Sequence, residues 1–587
     1  MAVSLARPGR LGATFFIGSI TAVVALPIAV IAARVGADSG GLWRHLAATV
    51  LPEYVQNTLW LALGVALSTT VLGVGTAWAV TLCRFPGRAF FRWALLLPLA
   101  IPTYLGAYAY TDLLQYSGPL QSWLRAVFGW GQTDYFFPEI RSLPGAAAIL
   151  SLALYPYVYL AARTAFLEQS VCVLEVGRTL GSGPWRIFFR IALPLARPSI
   201  FAGLSLVLME TLAEFGAVDY FAVDTFATGI YRTFTLPDPH ALTAAAQLSA
   251  CLLLLIALLI GAEAYSRRAL RFHHTSTRYR ELPAWRLRGA GAVLAFAGCA
   301  LPVVLGFGVP LAVFAVATLR GGDRRALEIF LETGRNSLVL GVLASFLAVL
   351  LAFAVVGGRR LHATPLHRVL ARLAGIGYAI PGMVIAIGIL IPLVWLDRRL
   401  HSALPGLGTG LLLSGSLFAV VYGYQARFLA VALNLLQAGL TRIRPSLDGA
   451  ARTLGARPVR MLAAVHLPML RGTLLGAGLL VFVDVIKELP ATLILRPFDF
   501  DTLAVRVYQL ASDERLAEAS TSALAIILIG LVPVVVLSRM LDRARPGRVR
   551  SGRVRPGRVR SGRVRSGRVR SGRARPGRVR SGSGRMP

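Results

Sequence analysis

Twelve long apolar runs decide what this chain can become. They lie at 11–33, 57–83, 93–114, 145–167, 199–221, 243–265, 291–317, 336–357, 370–395, 410–433, 472–495 and 521–541. Each approaches the ~20 apolar residues that carry a helix across a bilayer, where a helix satisfies its own backbone polar groups without water. The expectation is an all-α polytopic membrane protein with about twelve transmembrane helices. The 587 residues are 56% hydrophobic with a mean hydropathy of +0.65, too apolar for a soluble chain of this length. Arg7 and Arg10 before the first run imitate a secretory signal. The run is longer than a signal core and no cleavage site follows, so an uncleaved first span is expected.

The runs repeat as two sets of six. Asn57-Thr-Leu matches Asn336-Ser-Leu, Ala100-Ile-Pro102 matches Ala379-Ile-Pro381, Tyr155-x-Tyr157 matches Tyr422-x-Tyr424, and Glu210 with Glu214 matches Asp484 with Glu488. The same order in both sets predicts one transmembrane domain of six spans at 1–265, a basic linker at 266–288, a second such domain at 289–541, and a tail at 542–587. Two parallel repeats pack about an axis along the membrane normal, which places a pathway between them.

A short polar stretch also occurs twice. Residues 175–194 and 449–468 share Arg-Thr-Leu-Gly, at Arg178 to Gly181 and Arg452 to Gly455, and Leu-Pro, at Leu193-Pro194 and Leu467-Pro468. Gly181 and Gly455 suit the left-handed residue that closes a helix. Pro184 and Pro458 suit the first turn of the next helix, where a missing N–H costs nothing. Each copy therefore predicts a rigid helix-turn-helix knob, suited to docking in a groove on another protein. An ordinary amphipathic loop is the bland alternative, and two copies in register weigh against it.

This register resembles the EAA loop of the membrane subunits of binding-protein-dependent ABC importers. The first copy has Glu175 at the acidic position; the second has Asp448 one residue early, then Gly449, Ala450 and Ala451. The resemblance implies a type I ABC importer permease fold, in which the loops at 168–197 and 434–471 are coupling helices. It implies that they dock on two copies of a cytoplasmic ATPase subunit, and that an extracytoplasmic binding protein delivers substrate. Lys487-Glu-Leu-Pro-Ala-Thr-Leu-Ile-Leu-Arg-Pro-Phe-Asp-Phe-Asp-Thr-Leu-Ala504, with Glu210-Thr-Leu-Ala-Glu-Phe-Gly216 and Thr228-Gly-Ile-Tyr-Arg232, resembles fused ferric-iron permeases. That group also includes thiamine and sulfate importers, and its substrate choice rests largely with the binding protein.

The acids are unusual for their depth. Glu210 and Glu214, and Asp484 and Glu488, are spaced to share a helix face, and a charge at a helix centre costs roughly 2.5 to 3.5 kcal/mol on insertion scales. Lys487, the single lysine, points about 100° away from Glu488 on a helix and is expected to meet a charge on another helix. These five residues either line a conduit, attracting a cationic substrate, or form a structural ion-pair network between the halves. Tyr104, Tyr108, Tyr155, Tyr157, Tyr159, Tyr422 and Tyr424 are further candidates for the path, although packing tyrosines are commoner.

Net charge of +34 read alone suggests nucleic acid, yet seventeen arginines lie in the tail and much of the rest in short loops. That bias marks cytoplasmic flanks of a bacterial inner-membrane protein, so no nucleic-acid partner is expected. Arg84, Arg88, Arg92, the linker, Arg359, Arg360, both knobs and the tail fall on one side, which places both termini in the cytoplasm. Arg320, Arg324, Arg325 and Arg335 dissent, accompanied by Asp323, Glu328 and Glu332. The Gly-Arg-Val-Arg repeats of the tail cannot bury a core and are expected to be disordered, able at most to touch anionic lipid.

Chemistry is mostly excluded. A P-loop needs Gly-Lys, and Lys487 follows Ile486, so this chain is expected to hold no cofactor and ATP to be bound by its partner. Cys83, Cys172, Cys251 and Cys299 have no ligand-like spacing, and His273-His274 has no companion ligand, so no metal site and no catalytic residue is expected. A proton-coupled secondary transporter is the rival: it explains the acids but not the paired knobs.

Overall fold

The computed structural model describes residues 8–131, 133–169, 175, 179–268, 284–320, 324–361, 364–403 and 411–543. Most of the predicted linker, nearly all of the tail, and Arg178 lie outside them. The regular structure of the described residues is helical, apart from a two-residue parallel bridge that pairs Cys83 with Trp285 and Arg84 with Arg286.

Among the described residues ten helices are long and apolar enough to cross a membrane, including Leu51–Leu82, Leu143–Glu168, Pro184–Ala213, Leu417–Thr441 and Pro458–Ile486. Two predicted spans, 93–114 and 370–395, are not straight helices. Each is a bent pair, Arg88–Ala100 with Thr103–Phe128 at 90° and Pro365–Ala379 with Gly382–Ala403 at 113°. The breaks fall at the matching Ile101-Pro102 and Ile380-Pro381. A residue before proline is driven out of the helical region, and both isoleucines are extended, with ψ of 115° and 130°. The bilayer tolerates such broken helices where their freed ends face a protein-lined cavity.

The predicted runs 199–221 and 472–495 are interrupted as well. Their helices end at Ala213 and Ile486, and short helices Gly216–Tyr220 and Pro490–Leu495 follow. Glu214 and Glu488 thus sit in the breaks rather than on a continuous helix face.

The halves exchange their first arms. Pro8–Arg34 packs chiefly on Pro365–Ala374 and Gly382–Ala403 of the second half, while Ala290–Val303 and Val309–Arg320 pack on the first half, against Leu51–Leu82 and Thr103–Leu114. Proline fixes each arm in place. Pro27 cannot donate to the carbonyl of Val23, and the Tyr422 hydroxyl donates to that oxygen instead, at 2.6 Å. In the other arm the segment Val304–Gly308 is a π-turn, whose next donor would be residue 310, a proline. The Leu305 carbonyl it leaves free accepts from the Tyr110 hydroxyl, also at 2.6 Å. Buried carbonyls in lipid must find a donor, so each tyrosine supplies the one that proline removed. Gly388 lets the second half approach this site closely: a Cβ there would lie 2.5 Å from the Pro27 carbonyl oxygen.

The internal repeat holds at the level of single hydrogen bonds. Asn57 donates to the Asp224 carbonyl at 3.0 Å, and Asn336 to the Asp501 carbonyl at 3.2 Å. Thr58 accepts from the Phe226 N–H, as Ser337 does from the Leu503 N–H. Arg232 pairs with Asp224, and Arg496 with Asp501. Asn-Thr-Leu and Asn-Ser-Leu recur because each ties a long span to the start of a short helix, Phe226–Phe234 or Leu503–Ser512.

Candidate functional site

The two breaks and the two bends meet at a cavity of about 120 Å³, lined by residues of both halves. All five acids and bases singled out from the sequence, Glu210, Glu214, Asp484, Lys487 and Glu488, line it. So do Tyr104 and Tyr157; the other candidate tyrosines do not. Tyr422 holds an arm, Tyr424 meets the Thr492 hydroxyl at 2.7 Å, and Tyr159 donates to the Arg92 carbonyl.

Glu214 and Glu488 occupy equivalent positions and share one contact. The Glu214 carboxylate accepts from the Ala217 N–H at 2.9 Å, and that of Glu488 from the Ala491 N–H at 3.1 Å. Each therefore caps the exposed donors of the short helix that follows. Their second partners differ. Glu214 accepts from the Thr103 hydroxyl, and Glu488 pairs with the Arg427 guanidinium at 2.9 Å. Gly382 makes room for that pair: a Cβ there would lie 2.5 Å from Glu488 Oε1 and 2.6 Å from the nearest Arg427 nitrogen.

Lys487 takes its ion-pair partner from its own helix, while Glu210 of the other half acts on it across the cavity. Its Nζ pairs with Asp484 at 2.9 Å, three residues back on its own chain. Spacing of i, i+3 brings two side chains together as readily as i, i+4 does, and that local partner forestalls a distant one. Glu210, from the first half, acts electrostatically on Tyr157, Tyr378, Arg427 and Lys487 around the same cavity. Four carboxylates and two bases give the wall a formal excess of two negative charges when all are ionised.

Arg427, Thr103, Tyr378 and Gly382 were missed in the sequence. Arg427 had a signal, being an arginine inside the apolar run 410–433, where an ionisable side chain implies a buried partner. Thr103 and Gly382 carried none, because their roles arise from the bends that follow Pro102 and Pro381.

The knobs take the predicted form where they are described. Gly181 and Gly455 are left-handed, with φ of 74° and 78°. Pro184 and Pro458 open the short helices Pro184–Ile187 and Pro458–Met461. Each then runs through a π-turn, Phe188–Ala192 or Leu462–His466, directly into Leu193-Pro194 or Leu467-Pro468. Pro194 and Pro468 cannot donate, so the hydrogen-bond ladder widens before them. The tips expose Leu180 (78%) and Trp185 (68%) in one knob, Leu454 (87%) and Val459 (77%) in the other.

The acids of the knobs point different ways. Glu175 is exposed. Asp448 is buried, and its carboxylate meets Arg360 Nε at 2.6 Å and His466 Nε2 at 2.8 Å. Arg360 also donates to the Ile443 carbonyl at 2.9 Å. Burial alone raises the Asp448 pKa, but its hydrogen bonds to Arg360 and His466 outweigh burial and hold it below the usual carboxylate value. Ala450 and Arg452 are exposed, and Ala451 is buried against the knob.

Membrane helices in two repeated halves, a charged cavity between them and a pair of exposed knobs define a multi-pass membrane permease. The chain belongs to the binding-protein-dependent transport system inner membrane components, whose model matches residues 69–272. It is 25% identical over 493 residues, 83% of this chain and 90% of the other, to the Fe(3+)-transport system permease protein FbpB 2 of Haemophilus influenzae. It is 31% identical over 196 residues to the molybdenum transport system permease protein ModB of Escherichia coli, covering 32% of this chain and 82% of that one. The sulfate transport system permease protein CysW of Escherichia coli is 28% identical over 219 residues, 36% and 72% of the two chains. This is therefore an inner-membrane permease subunit of an ABC importer, a family that works with an ATPase and a binding protein.

Proposed function

We propose that this chain conducts a cation, ferric iron in the first instance, delivered by an extracytoplasmic binding protein. A separate ATPase subunit drives it, two copies meeting the two knobs, and both termini lie in the cytoplasm. The carrying observation is the cavity. Its excess of carboxylates attracts a cation and repels molybdate or sulfate, and at about 120 Å³ it is far below the roughly 300 Å³ at which pockets begin to enclose a drug-sized solute such as thiamine. The relation to FbpB 2 over most of both chains supports the same cargo.

The knobs support the division of labour. Glu175, Gly181, Pro184, Leu193 and Pro194, with Arg178, are the first contact; Asp448, Ala450, Ala451, Arg452, Gly455, Pro458, Leu467 and Pro468 form the second. Exposed leucine and aromatic side chains on a rigid turn suit a groove on a soluble partner. Helix Leu193–Ala213 leads from the first knob straight to Glu210, and Leu467–Ile486 from the second to Asp484. A rigid helix carries displacement along its length, so closure of the ATPase pair moves the cavity wall.

Affinity purification from native membranes tests the partnership: an ATPase should copurify, and Gly181→Pro with Gly455→Pro should lose it. Growth of an iron-starved host lacking its own ferric permease tests the cargo. Rescue of molybdate or sulfate uptake without iron uptake would overturn the cation reading. Uptake driven by a pH gradient in the chain alone would favour a proton-coupled transporter.

A further inference from the structure

We propose that Tyr508 and Asp219 form the latch that closes the cavity on the side away from the knobs, and that releasing their hydrogen bond opens a way in for the cargo. This rests on the importer reading above and names the residues of its outer gate.

The halves meet beyond the cavity through a layer of aromatic rings. Phe215 follows the acid of the first break, lines the cavity and is fully buried. Its ring packs against Tyr231 of its own half, with centroids 5.0 Å apart, and against Tyr508 of the other half, at 5.7 Å. The repeat matches those two tyrosines. Each lies seven residues after the aspartate, Asp224 or Asp501, whose carbonyl accepts from a matched asparagine. Gly216 lets both halves close on this point: a Cβ there would lie 2.8 Å from the Tyr104 Cβ and 2.9 Å from Leu489 Cδ2 of the other half. Asp219, Tyr231 and Tyr508 stand outside the cavity wall and are only half-buried, so the layer reaches the surface beyond it. Helix Leu193–Ala213 runs from the first knob to the cavity and Leu467–Ile486 from the second, and the layer lies past both breaks.

The polar contact in this layer is one-sided. The Tyr508 hydroxyl donates to the Asp219 carboxylate at 2.8 Å, a bond from one half to the other. The position matching Asp219, five residues past the acid of the break, is Leu493 in the second half, which offers Tyr231 no such acceptor. A hydrogen bond to an ionised acceptor is stronger than a neutral one. Arg141 and Glu514 also join the halves nearby, but at 3.7 Å and exposed they add little. The chain leaves helix Gly216–Tyr220 through Ala222, left-handed with φ of 54°, a conformation that alanine adopts only under constraint. Strained backbone three residues from the contact shows that the closed arrangement is held by its contacts. When the halves part, Phe215 keeps Tyr231 and loses Tyr508. The bond to Asp219 is therefore the one that opening must break.

Thiol labelling tests this. Ala213→Cys puts a thiol on the cavity wall, and a small membrane-impermeant thiol reagent is applied to vesicles of either orientation, with the unaltered chain as background. From the side away from the knobs, adding Tyr508→Phe should speed labelling about tenfold, the size of one hydrogen bond to a charged group. Asp219→Leu, which copies the second half, should do the same. Tyr231→Phe, the matched change, should leave the rate unaltered, and labelling from the knob side should stay constant throughout. Rates unchanged by both Tyr508→Phe and Asp219→Leu would overturn the proposal. Equal acceleration by Tyr231→Phe, or acceleration from both sides, would also overturn it, since a loosened bundle and not a released latch would then be the cause. Should Tyr508→Phe fail to fold, Asp219→Leu decides alone. Failure of the importer reading would show separately, as a chain that copurifies with no ATPase whatever the labelling rates.

Discussion

Glu214 and Glu488 stand at the same point of two repeated halves, and both cap the short helix that follows them. Only one of them forms an ion pair among the described residues. In the first half the place beside the acid is filled by the Thr103 side chain, and a hydroxyl is enough. In the second half Gly382 stands there, and Arg427 from Leu417–Thr441 fills the gap left by its missing side chain. The knobs divide the same way: Glu175 is exposed, whereas Asp448 is held by Arg360 and His466. Duplication has thus kept the backbone and let the charges diverge. At the cavity and at the knob the second half holds its acid with a base, whereas Glu214 and Glu175 of the first half have no such ion pair among the described residues.

The largest effect should come from breaking the cavity pair. Arg427→Leu leaves Glu488 charged and buried without its counter-ion, at a cost of about 3 to 5 kcal/mol. Gly382→Ala should act in the same direction, since its new Cβ cannot coexist with the pair. Both are measurable as loss of thermal stability in detergent. Thr103→Ala, the matching change in the first half, removes one hydrogen bond to a charged group and should cost only about 1.5 to 3 kcal/mol. Equal losses at the two sites would erase the distinction between the halves.

Next comes the second knob. Asp448→Asn should cost about 2 kcal/mol and increase proteolytic cleavage near Gly455, because Arg360 loses its carboxylate. Glu175→Gln should leave stability unchanged within about 0.5 kcal/mol, as an exposed charge, and weaken ATPase docking instead. The pH dependence has a definite sign. The folded Asp448 pKa lies below its unfolded value, so its contribution is complete above that unfolded value and is lost only as pH falls through the folded one. Knob stability should therefore be flat from about pH 5 to 8 as far as this group is concerned, and decline in strong acid.

A smaller stability effect than at any of the ion pairs belongs to the left-handed glycines. Gly181→Ala and Gly455→Ala should each cost about 1 kcal/mol, since nothing crowds the new Cβ and only φ is strained. Proline at either position cannot adopt that φ, and both proline variants should insert normally yet lose transport.

Much of this was legible in the sequence, because its signals were local. Apolar runs, the order of the repeat, and glycine and proline at the knobs each act within a few residues. The pairing of Lys487 with Asp484 is local as well, because i, i+3 spacing brings the two side chains together on one helix. Ile-Pro was seen twice as a match and not as a break, although proline's effect on the residue before it predicts one. The exchanged arms were beyond reach: Tyr422 capping Val23 spans nearly four hundred residues, and no pattern in either segment names the other. Arg427 lay between the two cases, its burial implied by its position but its partner fixed only by the gap at Gly382.

The most direct measurement is accumulation of radiolabelled iron in liposomes that contain the chain, its copurified ATPase and a loaded binding protein. The expected result is ATP-dependent accumulation that disappears with Gly181→Pro and Gly455→Pro together, with no comparable uptake of molybdate. Iron uptake that proceeds without the ATPase, or that survives both proline substitutions, would contradict a permease driven through its two knobs.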